Sequence, residues 1–360
     1  MSKYLTEQLI TCIGNKRSML VPIESMLKYV CDRLGKSKLY ILDAFSGSGV
    51  VSRLLKGYAS LLICNDLESY AFAISQCYMS NKSDVDLRSL NRVIARLNEC
   101  VRDTSGFITD MYAPKDEGAI TTSDRVFYSI ENARLLDYYC SCILKLPEHI
   151  RYLLLGPLLS EASIHVNTSG VFKGFYKNSC TGIGQFGGNG CNALTRILGR
   201  IVLAPPILSD DECEYKVFQQ DANSLVHKLR GLDLTYIDPP YNQHPYGSNY
   251  FMLNLLVKYQ KPKQVSKVSG IPVNWQRSEY NKRLESLRLL EQLLETVDTK
   301  FILLSFSNDG FINLVDLISM LRKLGKVKST KHCYNAFRGG RNNNERNTYV
   351  VEGLFLVEKG

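Results

Sequence analysis

Asp238-Pro239-Pro240-Tyr241 brings an acid, two prolines and an aromatic ring into four consecutive positions. Proline has no backbone N–H and a fixed φ, so this turn is stiff and presents its carbonyls and flanking side chains in a set geometry. An ordinary surface turn would more often place Gly or Asn beside a single proline. A carboxylate, an acceptor carbonyl and a ring together suit an amino group on a planar base, offering two acceptors for its hydrogens and a face to stack on. A second candidate is Asp43-Ala44-Phe45-Ser46-Gly47-Ser48-Gly49. Its glycines let the backbone pass close to a ligand and turn into a helix. Ser52 stands where the dinucleotide fingerprint has its third glycine, and no Gly-Lys-Ser or Gly-Lys-Thr follows as in a phosphate-gripping loop. Asn65-Asp66 supplies an acid able to accept hydrogen bonds from ribose hydroxyls. Asp66 could instead cap a helix starting near Ser69, and its pairing with the glycine turn favours the ribose reading.

These residues need strands that end beneath them. Apolar runs at residues 40–45 and 61–64, with a glycine turn and a helical stretch from Val50 between them, predict a parallel β-α-β unit. Residues 69–164 are mainly helical in period, with amphipathic stretches at 84–101 and 124–146, which is too long for one crossover and predicts an insertion. Residues 166–192 are rich in Gly, Asn, Thr, Lys and aromatics and predict loops and short hairpins. Strand-like runs return at 216–219, 232–237 and 301–306, with helical stretches from Ser248 and over 279–297 and a loop at 260–278. The runs at 326–334 and 348–357 predict an antiparallel edge.

In this order the motifs resemble the amino-group DNA methyltransferases, specifically the group with the motif order of Dam and many type II adenine modification methylases, over most of the chain. Ile13-Gly14-Asn15-Lys16-Arg17 is similar to that family's amino-terminal cofactor motif, with Asn15 departing from the usual Gly-Ser-Lys or Gly-Gly-Lys. Asp43 to Gly49 matches its Phe-x-Gly-x-Gly motif, Asp66 the ribose acid, Asp221 the acid that contacts the cofactor adenine, and Asp238 to Tyr241 the catalytic tetrapeptide. Residues 242–251, 306–308 and 335–341 resemble later motifs, and 166–172 a substrate-lobe motif.

The resemblance implies an α/β fold: a Rossmann-like S-adenosylmethionine-dependent methyltransferase sheet with an inserted, largely helical DNA-recognition lobe. Residues 1–80 and 214–360 would form the catalytic domain and 81–213 the lobe. It implies S-adenosyl-L-methionine as cofactor, held by Gly14, Asn15, Lys16, Asp43, Phe45, Gly47, Gly49, Asp66, Asp221 and Asp238. Lys16 and Asp43 would hold the two ends of the methionine moiety, or form a structural ion pair. The target adenine would be rotated out of the duplex and stacked on Tyr241, with Asp238 and the Pro239 carbonyl accepting its amino hydrogens and Pro240 stiffening the turn. Asn167, Phe172, Lys173, Lys177, Tyr246, Asn249 and Tyr250 would meet DNA. The implied setting is the modification component of a restriction-modification system: double-stranded DNA as partner, a cognate restriction endonuclease acting separately, no metal, no membrane and a cytoplasmic location.

Composition is compatible with this. The chain has 360 residues, 45% hydrophobic and 22% charged, enough apolar surface for a core with a second lobe. A formal charge of +9 suits a polyanionic partner, though it fits a merely basic enzyme equally well. Eleven cysteines are scattered without Cys-x-x-Cys spacing, which predicts reduced, mostly packed thiols. No Pro-Cys pair occurs, which argues against the cysteine nucleophile of the cytosine ring-carbon enzymes. Methylation of the cytosine amino group and of RNA are the neighbouring readings, disfavoured by the resemblance because those enzymes more often carry Ser and Asn, respectively, at position 238. A binding protein without catalysis is disfavoured by the intact acids at 43, 66, 221 and 238.

Overall fold

A computed structural model describes residues 1–101, 104–308, 310–335 and 349–360. Seven strands form one sheet: β1 Leu39–Asp43, β2 Ala59–Asn65, β3 Glu214–Phe218, β4 Leu232–Ile237, β5 Thr299–Ser307, β6 Gly325–Asn335 and β7 Tyr349–Lys359. Their order is β3-β2-β1-β4-β5-β7-β6, parallel from β3 to β5, with β7 running antiparallel between β5 and β6. The chain thus adopts an α/β fold of the kind found in S-adenosylmethionine-dependent methyltransferases. Every residue of β4 is buried, as expected of a central parallel strand covered on both faces.

Side chains alternate between two cores. Leu39 and Ile41 of β1, Leu234 and Tyr236 of β4, and Phe301 and Leu303 of β5 enter one. Leu42, Leu232, Ile237, Ile302 and Leu304 enter the other. The first core is covered by helices α1 Lys3–Thr6, α2 Leu20–Leu34, α3 Val50–Lys56 and α4 Ser69–Met79. It continues without a break into α5 Leu87–Glu99, α6 Phe107–Tyr112, α7 Ile130–Ile143 and α8 Glu148–Ile164, while α9 Leu194–Ile197 closes the helical part of the insertion. The second core is covered by α10 Ala222–Val226, α13 Arg283–Thr296 and α14 Leu314–Leu324. Two helices, α11 Tyr246–Asn249 and α12 Phe251–Lys258, follow β4 and pack on the first side.

The expected strands are present, each within two or three residues of its predicted ends. The helical pattern over 279–297 begins as a 3₁₀ turn, Glu279–Asn281, before α13. Helices α2 and α14 were not anticipated. Pro22 lies in the first turn of α2, where its missing N–H costs no intrahelical bond. Between β2 and β3 the described residues 82–197 form helices, turns and loops but no strand of the sheet. Among the described residues no helix is long and apolar enough to cross a membrane.

Candidate active site

The strand order reverses between β1 and β4, and a crevice opens at such a point beyond the carboxyl ends of the strands. A cleft with about 940 Å³ of empty space lies there, lined among others by Gly14, Asn15, Lys16, Asp43, Phe45, Gly47, Asp66, Asp221, Asp238, Pro240 and Tyr246. Residues from five separate stretches of sequence are therefore brought to one place.

The glycine turn leaves β1 with Gly47 at φ 49° and Gly49 at φ 75°, left-handed values that glycine adopts without strain. Gly49 is not on the cleft wall; it starts α3, and a side chain there would press on Ile74. Asn65, almost fully buried, donates to the carbonyls of Ala44 and Gln220 at 3.1 Å each and accepts from the Gln220 amide, tying the ends of β1, β2 and β3 together. Asp66 accepts from the Gly47 amide at 2.8 Å and the Glu68 amide at 2.9 Å, so it braces the glycine turn from the next strand. Asp221 is exposed and caps α10 through the Ser224 amide at 2.9 Å. Phe45 meets Tyr280 edge-on with centroids 5.3 Å apart.

Asp43 is 1% exposed; its Oδ2 accepts from the Ser52 hydroxyl at 2.6 Å, while its Oδ1 has no hydrogen-bond partner. Burial pushes its pKa up to about 7, helped by the Asp238 and Asp66 carboxylates and opposed by the Ser52 hydroxyl. A buried acceptor without a donor is costly unless a ligand supplies one.

At the end of β4, Lys16 places its ammonium 2.9 Å from Asp238 Oδ2 and 3.5 Å from Glu352 Oε1, and donates to the Gly14 carbonyl at 2.9 Å. The ion pair between Lys16 and Asp43, the alternative to their holding the two ends of the methionine moiety, is not formed: Lys16 pairs with Asp238 and Glu352. Burial lowers the affinity of Lys16 for its proton, but Asp238, Tyr241 and Glu352 outweigh it and hold the side chain charged. Burial likewise pushes Asp238 up to about 6, with Lys16 pulling it down and Glu352 adding to the rise. Glu352 is fully buried and accepts from the Ser305 hydroxyl at 2.8 Å. Sequence reasoning missed it. The Tyr241 ring centroid lies 5.8 Å from the Lys16 ammonium and 5.3 Å from the Phe306 ring, and the Tyr241 carbonyl accepts from the Phe311 amide at 2.8 Å.

A family model described as D12 class N6 adenine-specific DNA methyltransferase matches residues 13–300. The chain belongs to this family. It is 26% identical to Type II methyltransferase M.NlaIII of Neisseria lactamica over 96% of this chain and 98% of that one. It is 26% identical to Type II methyltransferase M.CviAII of Paramecium bursaria Chlorella virus 1, over 82% and 83%. Modification methylase StsI of Streptococcus sanguinis is 26% identical over 96% of this chain but only 51% of its own length. The chain is thus an adenine-specific DNA methyltransferase, and among its described residues no group of three or more His, Cys, Asp or Glu is placed to hold a metal ion.

Among the residues of the methyltransferase expected to meet DNA, the structure separates exposed from buried. Lys173 and Lys177 are exposed, Lys177 with its ammonium 5.2 Å from the Phe175 ring centroid. Asn167, Phe172, Asn249 and Tyr250 are buried, so direct contact with DNA does not fit their placement. Asn167 donates to the carbonyls of Val126 at 2.8 Å and Gln185 at 3.2 Å and accepts from the Gly187 amide at 3.0 Å, pinning the glycine-rich loops. The Phe172 ring packs between Phe127 and Tyr250. The Asn249 carbonyl accepts from the Phe172 amide at 2.7 Å. The Tyr250 hydroxyl accepts from the Ile13 amide at 2.7 Å, and the half-buried Tyr246 donates to the Ile13 carbonyl at 3.3 Å. These two tyrosines therefore clamp the loop that carries Lys16. Of the expected carboxyl-terminal motif, residues 336–341 lie outside the described residues.

Proposed function

We propose that this methyltransferase takes its methyl group from S-adenosyl-L-methionine and delivers it to the N(6) amino group of an adenine within a short sequence of double-stranded DNA, as the modification component of a restriction-modification system. Relatives named as type II methyltransferases and modification methylases support that setting, with a separately acting endonuclease and a cytoplasmic location following from it. The observation that carries the reading is the partnerless Asp43 Oδ1 in the same cleft as Asp238.

The donor set suits this cofactor. Asp43 offers its open acceptor to the ammonium of the methionine part; Asp66 at the end of β2 offers the ribose hydroxyls an acid; Asp221 and the Phe45–Tyr280 pair are available to its adenine. Gly14, Asn15 and Gly47 keep backbone close to the ligand, while Gly49 sets the turn into α3 behind them. S-adenosyl-L-methionine supplies an electrophilic methyl group on a sulfonium.

The remaining work falls to the protein. A stacked adenine cannot present its amino nitrogen, so the base is rotated out of the duplex at a cost of a few kcal/mol. Tyr241 then stacks on it, while Asp238 and the Pro239 carbonyl accept the two amino hydrogens and turn the nitrogen lone pair toward the methyl group. Pro240 keeps the turn stiff. Holding both partners in line lowers the barrier by position alone. Lys173 and Lys177 meet DNA phosphates, and Asn167, Phe172, Tyr246, Asn249 and Tyr250 act indirectly by shaping the loops. Residues 81–213 serve as the recognition lobe and the flanking segments as the catalytic domain.

Transfer of labelled methyl from S-adenosyl-L-methionine to unmethylated genomic DNA, followed by nucleoside digestion and single-molecule sequencing, tests the reading. N(6)-methyladenine in one short motif is expected. Methylcytosine would overturn the substrate, and cofactor binding without transfer to DNA would overturn the reaction.

A further inference from the structure

The ammonium of Lys16 has three N–H donors and, in this site, two carboxylates and one carbonyl to receive them. Its bond to Asp238 at 2.9 Å is of charge-assisted length, whereas Glu352 at 3.5 Å is reached only loosely. Glu352 is otherwise held: β7 pairs it with Ser307 of β5, and the Ser305 hydroxyl fixes Oε1 at 2.8 Å. A fully buried carboxylate needs a charged partner or a strong hydrogen-bond set to stay ionised. The Asp238 carboxylate has its own claim on Lys16, and in the proposed reaction it must also accept an amino hydrogen of the target base. Lys16, held on Oδ2, and that amino group then draw on the same carboxylate.

We infer that Glu352 is a positioning residue for methyl transfer, which draws Lys16 off Asp238 when the target amino group arrives. Glu352 touches neither base nor cofactor; it acts through Lys16. Rotation of the lysine side chain by a fraction of its length shortens the looser contact and lengthens the tighter one, so the ammonium remains paired throughout. Without Glu352, the one carboxylate among the described residues left to pair with Lys16 is the one the base requires. This rests on the reading of Asp238 as the acceptor of the amino hydrogens.

The test is a double-mutant cycle with steady-state kinetics, S-adenosyl-L-methionine binding by calorimetry, and base extrusion followed by 2-aminopurine fluorescence at the target position. E352Q keeps the shape and the Ser305 bond but removes the charge. It should lower kcat by about tenfold or more, while cofactor affinity stays within about twofold of wild type. In a Lys16→Gln background the same change should add little, because the competitor is gone. S305A, which loosens Glu352 without removing it, should lower kcat in the same direction by a few-fold and do nothing further in the E352Q protein; it also carries the test if E352Q does not fold. Wild-type kcat in E352Q or S305A, or a loss of equal size with and without Lys16, would overturn the inference. Absence of adenine methylation by the wild-type protein would instead overturn the underlying reading of the site.

Discussion

In the proposed reaction Asp238 accepts amino hydrogens only while ionised, and its pKa is pushed up to about 6 by burial against the pull of Lys16. The acid limb of kcat/KM should therefore fall near pH 6, with about a tenfold loss per pH unit below it; a profile flat to pH 5 in protein still folded would remove Asp238 from that role. Asp43 poses the opposite problem. Its pKa is raised by burial from 3.8 to about 7, so its charge is tolerated less well in the folded chain than in the unfolded one. Stability linked to Asp43 is fully present below pH 4 and is lost as pH rises through 7. D43N keeps an acceptor for Ser52 and removes the charge. Without cofactor it should melt about 2–4 °C above wild type at pH 8, with the gap closing toward pH 5, and it should lose cofactor binding by calorimetry. A melting difference independent of pH would mean that the fold does not raise the Asp43 pKa above its unfolded value. Both acids were legible in the sequence because each directly follows, or ends, an apolar run at a turn. Glu352 was not: its neighbour Ser305 is 47 positions away, and only the pairing of β7 with β5 brings the two together.

Among the elements, the glycine-rich loops after α8 depend on Asn167, whose amide side chain is shared by Val126, Gln185 and Gly187 while its carbonyl accepts from Tyr176 at 3.0 Å. Replacing it with alanine leaves buried backbone groups unpaired, at about 1–3 kcal/mol for each. N167A should therefore raise KM for DNA severalfold while cofactor affinity, set across the sheet, is unchanged; equal losses in both would show that the loops and the cofactor cleft are one mechanical unit. The sequence exposed these loops through composition but not their hub, since a buried Asn and a solvated one look alike. Strands were legible because parallel strands covered on both faces read as unbroken apolar runs, as β4 does. Helix α2 was not, although Leu20, Ile23, Leu27 and Val30 share one buried face, because Pro22 near its start reads as a breaker. Tyr246 and Tyr250 look like substrate contacts in one dimension, where aromatic residues follow a catalytic motif. Folding turns both toward Ile13, more than 230 positions earlier.

At the scale of the molecule, the net charge of +9 becomes informative once the exposed cations are placed. Lys173 and Lys177 stand on the glycine-rich loops that Asn167 pins, and Phe172 joins those loops to α11, which follows the Asp238–Tyr241 turn. In the proposed reaction cations there hold phosphates beside the extruded base, whereas scattered surface charge elsewhere cannot contribute register. The two classes differ in salt dependence. Each phosphate neutralised releases counterions, so log Kobs falls with log salt at a slope of about −0.9 per contact. A K173A/K177A protein should bind duplex DNA with a slope shallower by about 2, with unchanged cofactor affinity, and should lose about the same factor on target and non-target sequence, because phosphate contacts carry no sequence information. An unchanged slope would move the DNA track off these loops. A loss confined to the target sequence would make these lysines base readers and not phosphate anchors.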